Sequence, residues 1–144
     1  MKKLAVLLSL SVIGLGGSLC AMERDDVVSV NNLSLTHRCN DFKHTLLLEL
    51  KEKPVGMIVY NQDQEDKSFS GIEHLFVDEK FRKKGIEESL VGSACVRLKK
   101  LGCTTVDLQV RENNSPARAF YEKLGFKKDE FQYIGGMCIY SKEL

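Results

Sequence analysis

The 144-residue sequence predicts one mixed α+β domain, a mostly antiparallel sheet flanked by two main helices. Three observations carry this. Short stretches of alternating apolar and polar residues recur along the chain, the mark of half-buried strands. Between Gly85 and Gly102 the apolar residues recur instead at three- and four-residue spacing, the mark of an amphipathic helix. A second, shorter helical stretch opens at Asn114-Ser115-Pro116 and closes at Gly125. A hydrophobic content of 43% supports a packed core and excludes a disordered or collagen-like chain. With 21 basic and 20 acidic side chains the net charge is +1, so no whole-molecule attraction to nucleic acid is expected.

The first 22 residues stand apart. Lys2 and Lys3 precede an uncharged run, Leu4 to Met22, that thins to Gly16-Gly17-Ser18. A charged start, an apolar middle and small residues before a polar boundary describe a signal peptide, here residues 1–21. The expectation is export to the periplasm or beyond. An uncleaved anchor is the alternative, because roughly 20 apolar residues span a bilayer, and a cytoplasmic location is the other. Membrane attachment is expected through residues 4–22 alone, and the folded domain over residues 27–144.

Taken in order, Val27 to Val30 and Leu33 to Leu35 are strand fragments separated by the turn-favouring pair Asn31-Asn32. Phe42 to Lys51 is a strand with Leu46, Leu48 and Leu50 on one face. Glu52-Lys53-Pro54 turns the chain into a partner strand, Val55 to Tyr60, and Asn61 to Ser68 is a polar loop. Phe69 to Val77 is the next strand. The long helix carries a buried stripe of Ile86, Leu90, Ala94, Leu98 and Leu101, with Gly102 as a left-handed cap. Thr104 to Val110 is a strand. In the second helix Ser115 is the expected cap, Pro116 takes the first helical position, and Ala117, Phe120 and Leu124 form the packing face. Phe131 to Ile134 and Met137 to Ser141 flank Gly135-Gly136, a two-residue hairpin signal. The count is six or seven strands and two helices. Of five cysteines, Cys39, Cys95, Cys103 and Cys138 lie beyond the leader without metal-like spacing, and core packing is their expected role.

The turn between Val77 and the long helix holds Arg82, Lys83, Lys84 and Gly85. A strand feeding a glycine turn at a helix start presents backbone amides that suit phosphate groups. Glu87 conflicts with that use. With Glu88 it complements the helix macrodipole, yet it places a negative charge where a phosphate would sit.

Two motifs give the chain a family resemblance. Arg82-Lys83-Lys84-Gly85-Ile86-Glu87 resembles the Arg/Gln-x-x-Gly-x-Gly/Ala turn of the GNAT superfamily of acyl-CoA-dependent N-acyltransferases, with Glu87 in place of the last small residue. Asn114, Ala117, Tyr121, Gly125 and Phe126 match that family's Asn-x-x-Ala-x-x-x-Tyr-x-x-x-Gly-Phe in full. The resemblance covers residues 69–126; residues 27–60 match only in strand pattern, and the two early helices of the family are expected to be reduced or missing. It implies a GNAT-like sheet and helices, and an acetyl-CoA-dependent N-acetyltransferase acting on a primary amine of a small molecule or peptide. By resemblance the turn from Arg82 to Glu87 holds the cofactor's pyrophosphate and Asn114 and Ala117 the pantetheine arm. Backbone near Phe76 and Val77 holds the thioester, and Tyr121 protonates the departing thiolate. A general base is needed as well, because an ammonium must lose a proton before it attacks. Gln109 occupies a position where some family members carry a glutamate, and a glutamine cannot serve. Glu73 and His74 remain, on opposite faces by strand alternation, and Glu73 is the chosen candidate. A rival reading is an exported GNAT-fold binding module without catalysis, favoured by Glu87, Gln109 and the leader.

Overall fold

The computed structural model describes residues 26–30 and 33–144, so the leader and the pair Asn31-Asn32 lie outside the described residues. Eight strands form one sheet in the order β1-β2-β3-β4-β5-β6-β8-β7, one or two more strands than the sequence suggests. They are β1 (Asp26–Val30), β2 (Leu33–Asn40), β3 (Lys43–Leu50), β4 (Lys53–Gln62), β5 (Phe69–Val77), β6 (Thr105–Arg111), β7 (Lys127–Ile134) and β8 (Met137–Glu143). Two α-helices join them, α1 (Ile86–Lys100) and α2 (Ser115–Lys123). The mixed, mostly antiparallel architecture is the expected one. Only β5 and β6 pair in parallel among the described strands, and α1 supplies the crossover that parallel neighbours require.

Local chemistry explains where the elements differ from expectation. The β3–β4 turn is Lys51-Glu52, with Leu50 paired to Lys53, rather than Glu52-Lys53-Pro54. Both turn residues have positive φ, 52° and 63°, which matches the twist of a tight hairpin but carries none of its usual Asn-Gly signal. Pro54 is accommodated beside the register shift at Leu48/Glu49. The loop after β4 is ordered by its own carboxylates: Asp63 accepts from the amides of Glu65 and Asp66, and Asp66 from that of Ser68.

The core lies between the sheet and α1. Leu46, Leu48 and Ile58 are fully buried against Ile86, Leu90, Ala94 and Leu98, the stripe predicted from spacing. Leu101 is the C-terminal cap and only partly buried. Gly102 then adopts φ +92°, the left-handed conformation a glycine takes without cost. Cys103 and Cys138 are buried and Cys95 packs against the core, all as free thiols.

A polar column crosses this core near its edge. His37 on β2, His44 on β3 and Tyr60 on β4 stack, with ring centroids 5.4 and 5.1 Å apart. Arg97 of α1 approaches His37 Nδ1 at 3.4 Å, His37 Nε2 lies 3.2 Å from His44 Nδ1, and His44 Nε2 lies 3.9 Å from Cys39 Sγ. A guanidinium can only donate, so each imidazole accepts at Nδ1 and donates from Nε2 along the chain toward Cys39. Burial first, and then the charge of Arg97, lowers His37 from the ordinary 6.5 to about 4, and both causes lower His44 as well.

Candidate acyl-transfer site

The sheet opens where a long ligand would enter. Parallel pairing of β5 with β6 stops at Ile72↔Leu108, whereas β5 continues to Val77 and β6 to Arg111. The Asp78 amide bonds the Val55 carbonyl, so alternation directs the Phe76 amide toward β4 and those of Leu75 and Val77 into the opening. Of the two residues expected to hold a thioester through backbone, Val77 offers its N–H to the opening. Phe76 instead contributes a 49% exposed ring.

The glycine turn sits at the end of β5. A short 3₁₀ segment, Glu79–Phe81, is capped by Asp78. Arg82 Nε then donates to the Val77 carbonyl at 3.0 Å, folding the turn back onto the strand. Lys83 has φ +59° and is exposed, and Lys84 leans over the Phe81 ring, 5.1 Å from its centroid. Gly85 has φ +79° and caps α1 without a side-chain hydrogen bond. The first amides of α1 therefore remain unspent, as an anion site needs. Ile86 is buried, so its side chain anchors the helix in the core and only its amide faces outward chemistry. Glu88 pairs with Lys123 of α2 at 2.8 Å. Glu87 is half-buried, with no ion pair or hydrogen bond among the described residues.

The second motif runs through α2 and the turn after it. The cap of α2 is Asn114 rather than Ser115: its Oδ1 accepts from the Ala117 amide at 3.2 Å. Ala117's amide is thus taken, while the Asn114 Nδ2 donors stay available. Tyr121 lies between Phe120 and Phe126 in edge-to-face contacts, centroids 5.0 and 5.6 Å apart. Its hydroxyl has no hydrogen-bond partner among the described residues, and burial raises its pKa, so the phenol stays protonated. Phe126 follows Gly125, whose φ of +86° lets its amide reach back to the Tyr121 carbonyl.

Glu73 sits on a bulge. Tyr60 pairs with Ile72 and Val59 with His74, leaving Glu73 as the extra residue. The bulge overturns the simple alternation expected here: Glu73 and His74 are both exposed and line the same cavity of about 550 Å³, with Asn61, Asp107, Gln109 and Ile139. Lys43 meets the Glu73 carboxylate at 2.6 Å and Asn61 donates to it at 2.8 Å. The Lys43 hydrogen bond, and to a lesser extent that of Asn61, lowers its pKa and makes it a weaker proton acceptor. No sequence signal marks the bulge or Lys43. His37 and His44 could have been found, because each falls in phase with the buried leucines of its strand.

Known proteins resemble this chain in sequence and fold. The model of the acetyltransferase (GNAT) family matches residues 20–126. An uncharacterized N-acetyltransferase of Methanocaldococcus jannaschii is 35% identical over 86 residues, 57% of this chain and 38% of that protein. Human N-alpha-acetyltransferase 30 is 37% identical over 86 residues, covering 57% of this chain and 24% of that protein. The match therefore spans well under half of these relatives. Among solved structures, a Pyrococcus horikoshii protein superposes with TM-score 0.62 at 32% identity, over 69% of this chain and 64% of that one. PaiA N-acetyltransferase from Thermoplasma acidophilum, solved in complex with coenzyme A, has the same fold, with TM-score 0.65 at 23% identity over 72% and 62%. With the family model covering most of the chain, this protein belongs to the acetyltransferase (GNAT) family.

Proposed function

We propose that this chain is an acetyl-CoA-dependent N-acetyltransferase acting by direct attack of a primary amine, carried by a small molecule or a peptide. The observation that carries the reading is the opening between β5 and β6. Val77 turns its N–H into it, β5 leads from it to a helix N-terminus with no side-chain cap, and Asn114 keeps its amide donors free. Unspent amides behind Gly85 suit a pyrophosphate, and a slot between splayed strands suits a narrow pantetheine arm. When bound, acetyl-CoA supplies an activated acetyl thioester.

The chain's own groups supply the rest. The amides of Leu75 and Val77 offer hydrogen bonds where negative charge develops on the carbonyl oxygen. Glu73, held ionised by Lys43 and Asn61, takes the proton the ammonium must lose, directly or through water. His74, in the same cavity, is the second candidate for that proton. The Tyr121 phenol gives its proton to the departing sulfur, so the amide and the thiol leave neutral and the enzyme recovers its proton from the acceptor side.

Glu87 favours the second reading, a GNAT-fold binding module without catalysis, because it adds an unpaired carboxylate to the first turn of the same helix. Thermal shift with acetyl-CoA decides between them. Stabilisation of the wild-type chain at micromolar acetyl-CoA supports the enzyme; a response confined to Glu87→Gly sinks it. The export expected for residues 1–21 is a separate proposal, tested by sequencing the mature N-terminus from cells.

A further inference from the structure

We infer that the cavity beside the splay recognises a second cationic group on the acceptor, with Asp107 as its counter-ion; this rests on the acetyltransferase reading above. Asp107 lies on β6 opposite Gly71, one residue before the parallel pairing ends. Its Oδ1 is buried and has no hydrogen-bond partner. A carboxylate oxygen left without a donor is costly, and because the Asp107 side chain is only partly buried in the cavity lining, a small rotation lets a ligand supply the donor.

The charges around the cavity single Asp107 out. The other carboxylate there, Glu73, is already met by Lys43 and Asn61, and Asn61 in turn accepts the Gly71 amide at 3.1 Å. No lysine or arginine forms an ion pair with Asp107 among the described residues. The cavity thus keeps one carboxylate whose cation must come from elsewhere. Its wall of Met137 and Ile139 is apolar, which suits a methylene spacer better than a sugar. Gln109 marks the open end of β6, two residues beyond Asp107 on the same face, and the strand rise puts them roughly 7 Å apart. An amine that reacts at the opening would therefore carry its second charge one short alkyl spacer away. The ligand class is an alkyl diamine.

The test compares 1,4-diaminobutane with butylamine by titration calorimetry on the full chain without acetyl-CoA, in wild type and Asp107→Asn. The diamine is expected to bind wild type at least tenfold tighter than the monoamine, and Asp107→Asn to erase that preference. Equal binding of the two amines by wild type overturns the inference, as does a preference that survives Asp107→Asn. Thermal shift by CoA on the same proteins keeps the two readings apart. A CoA response without diamine preference removes only the Asp107 site. Diamine preference without a CoA response leaves the site standing and removes the acetyl donor.

Discussion

The side-chain oxygen of Asn114 accepts the Ala117 amide at 3.2 Å, so one residue starts α2 through its oxygen and keeps its amide donors for another partner. The two duties are separable by chemistry. Asn114→Asp keeps an oxygen for the cap but loses the N–H donors, and it adds a charge. Its melting temperature is expected to stay near that of wild type while CoA affinity falls about tenfold or more. Asn114→Ala should lose both, with a stability cost of about 1 kcal/mol for the missing cap. Denaturant melts and CoA titration on the pair of variants check this; equal CoA affinity in Asn114→Asp and wild type would confine Asn114 to capping.

Glu87 and Glu88 differ in one respect that binding can read: Glu88 has Lys123 and Glu87 has no such partner. Two like charges about 5 Å apart repel by about 3 kcal/mol at an effective dielectric near 20, and solvent screening reduces that several-fold. Glu87→Ala is expected to tighten CoA binding about five- to tenfold, whereas the double change Glu88→Ala with Lys123→Ala, which removes one charge of each sign, should change it little. The gain should shrink at high salt. Titrations at two ionic strengths provide the measurement.

Tyr121 makes ring contacts but its hydroxyl bonds nothing in the described residues, so Tyr121→Phe should leave the fold as stable as wild type. If the phenol donates to the departing sulfur, turnover falls about a hundredfold with little change in CoA affinity. Burial raises the phenol's pKa above its ordinary 10. Tyr121 therefore contributes no alkaline fall in rate below pH 10, and a pH–rate profile with such a limb lost in Tyr121→Phe would contradict the assignment.

The buried pair His37 and His44 makes stability fall on the acid side. Their pKa values are lower folded than unfolded, so the unfolded chain takes up protons first as pH drops. Stability is complete above the ordinary 6.5 and declines toward about 4, where His37 itself protonates. For His37 alone the loss is at most about 3 kcal/mol. The groups that set it are Arg97 from α1, the neighbouring imidazole, and burial against Tyr60. Arg97→Met, which removes the charge, should make the acid decline shallower. Melts between pH 4 and 8 measure both.

Much of this was legible in the sequence because it depends on local spacing. The α1 stripe from Ile86 to Leu98, the β5 boundaries at Phe69 and Val77, and the Gly135-Gly136 hairpin follow from periodicity and turn chemistry. Tyr121, Asn114 and Gly85 stand out as candidates because their motifs run along one stretch of chain. The Lys51-Glu52 turn was missed because two ordinary residues adopt positive φ there, held by the hairpin on either side. Long-range relationships were not legible: Lys43 reaches Glu73 across 30 positions, Arg97 reaches His37 across 60, and neither pairing has a sequence signature. The bulge at Glu73 defeated the reasoning from alternation, since one inserted residue changes the phase of all that follows.

The seam between β5 and β6 has a mechanical meaning. Four residue pairs, Phe69↔Thr105 to Ile72↔Leu108, join strands β1–β5 to strands β6–β8 within the sheet, with α1 bridging the same halves. A molecule lodged in the opening would touch Val77 on one half and the unpaired end of β6 on the other, and so act as a staple. Amides flanking the seam, such as Thr104 and Thr105 bonded to the Ser68 carbonyl, should exchange with solvent more slowly once the staple is in place.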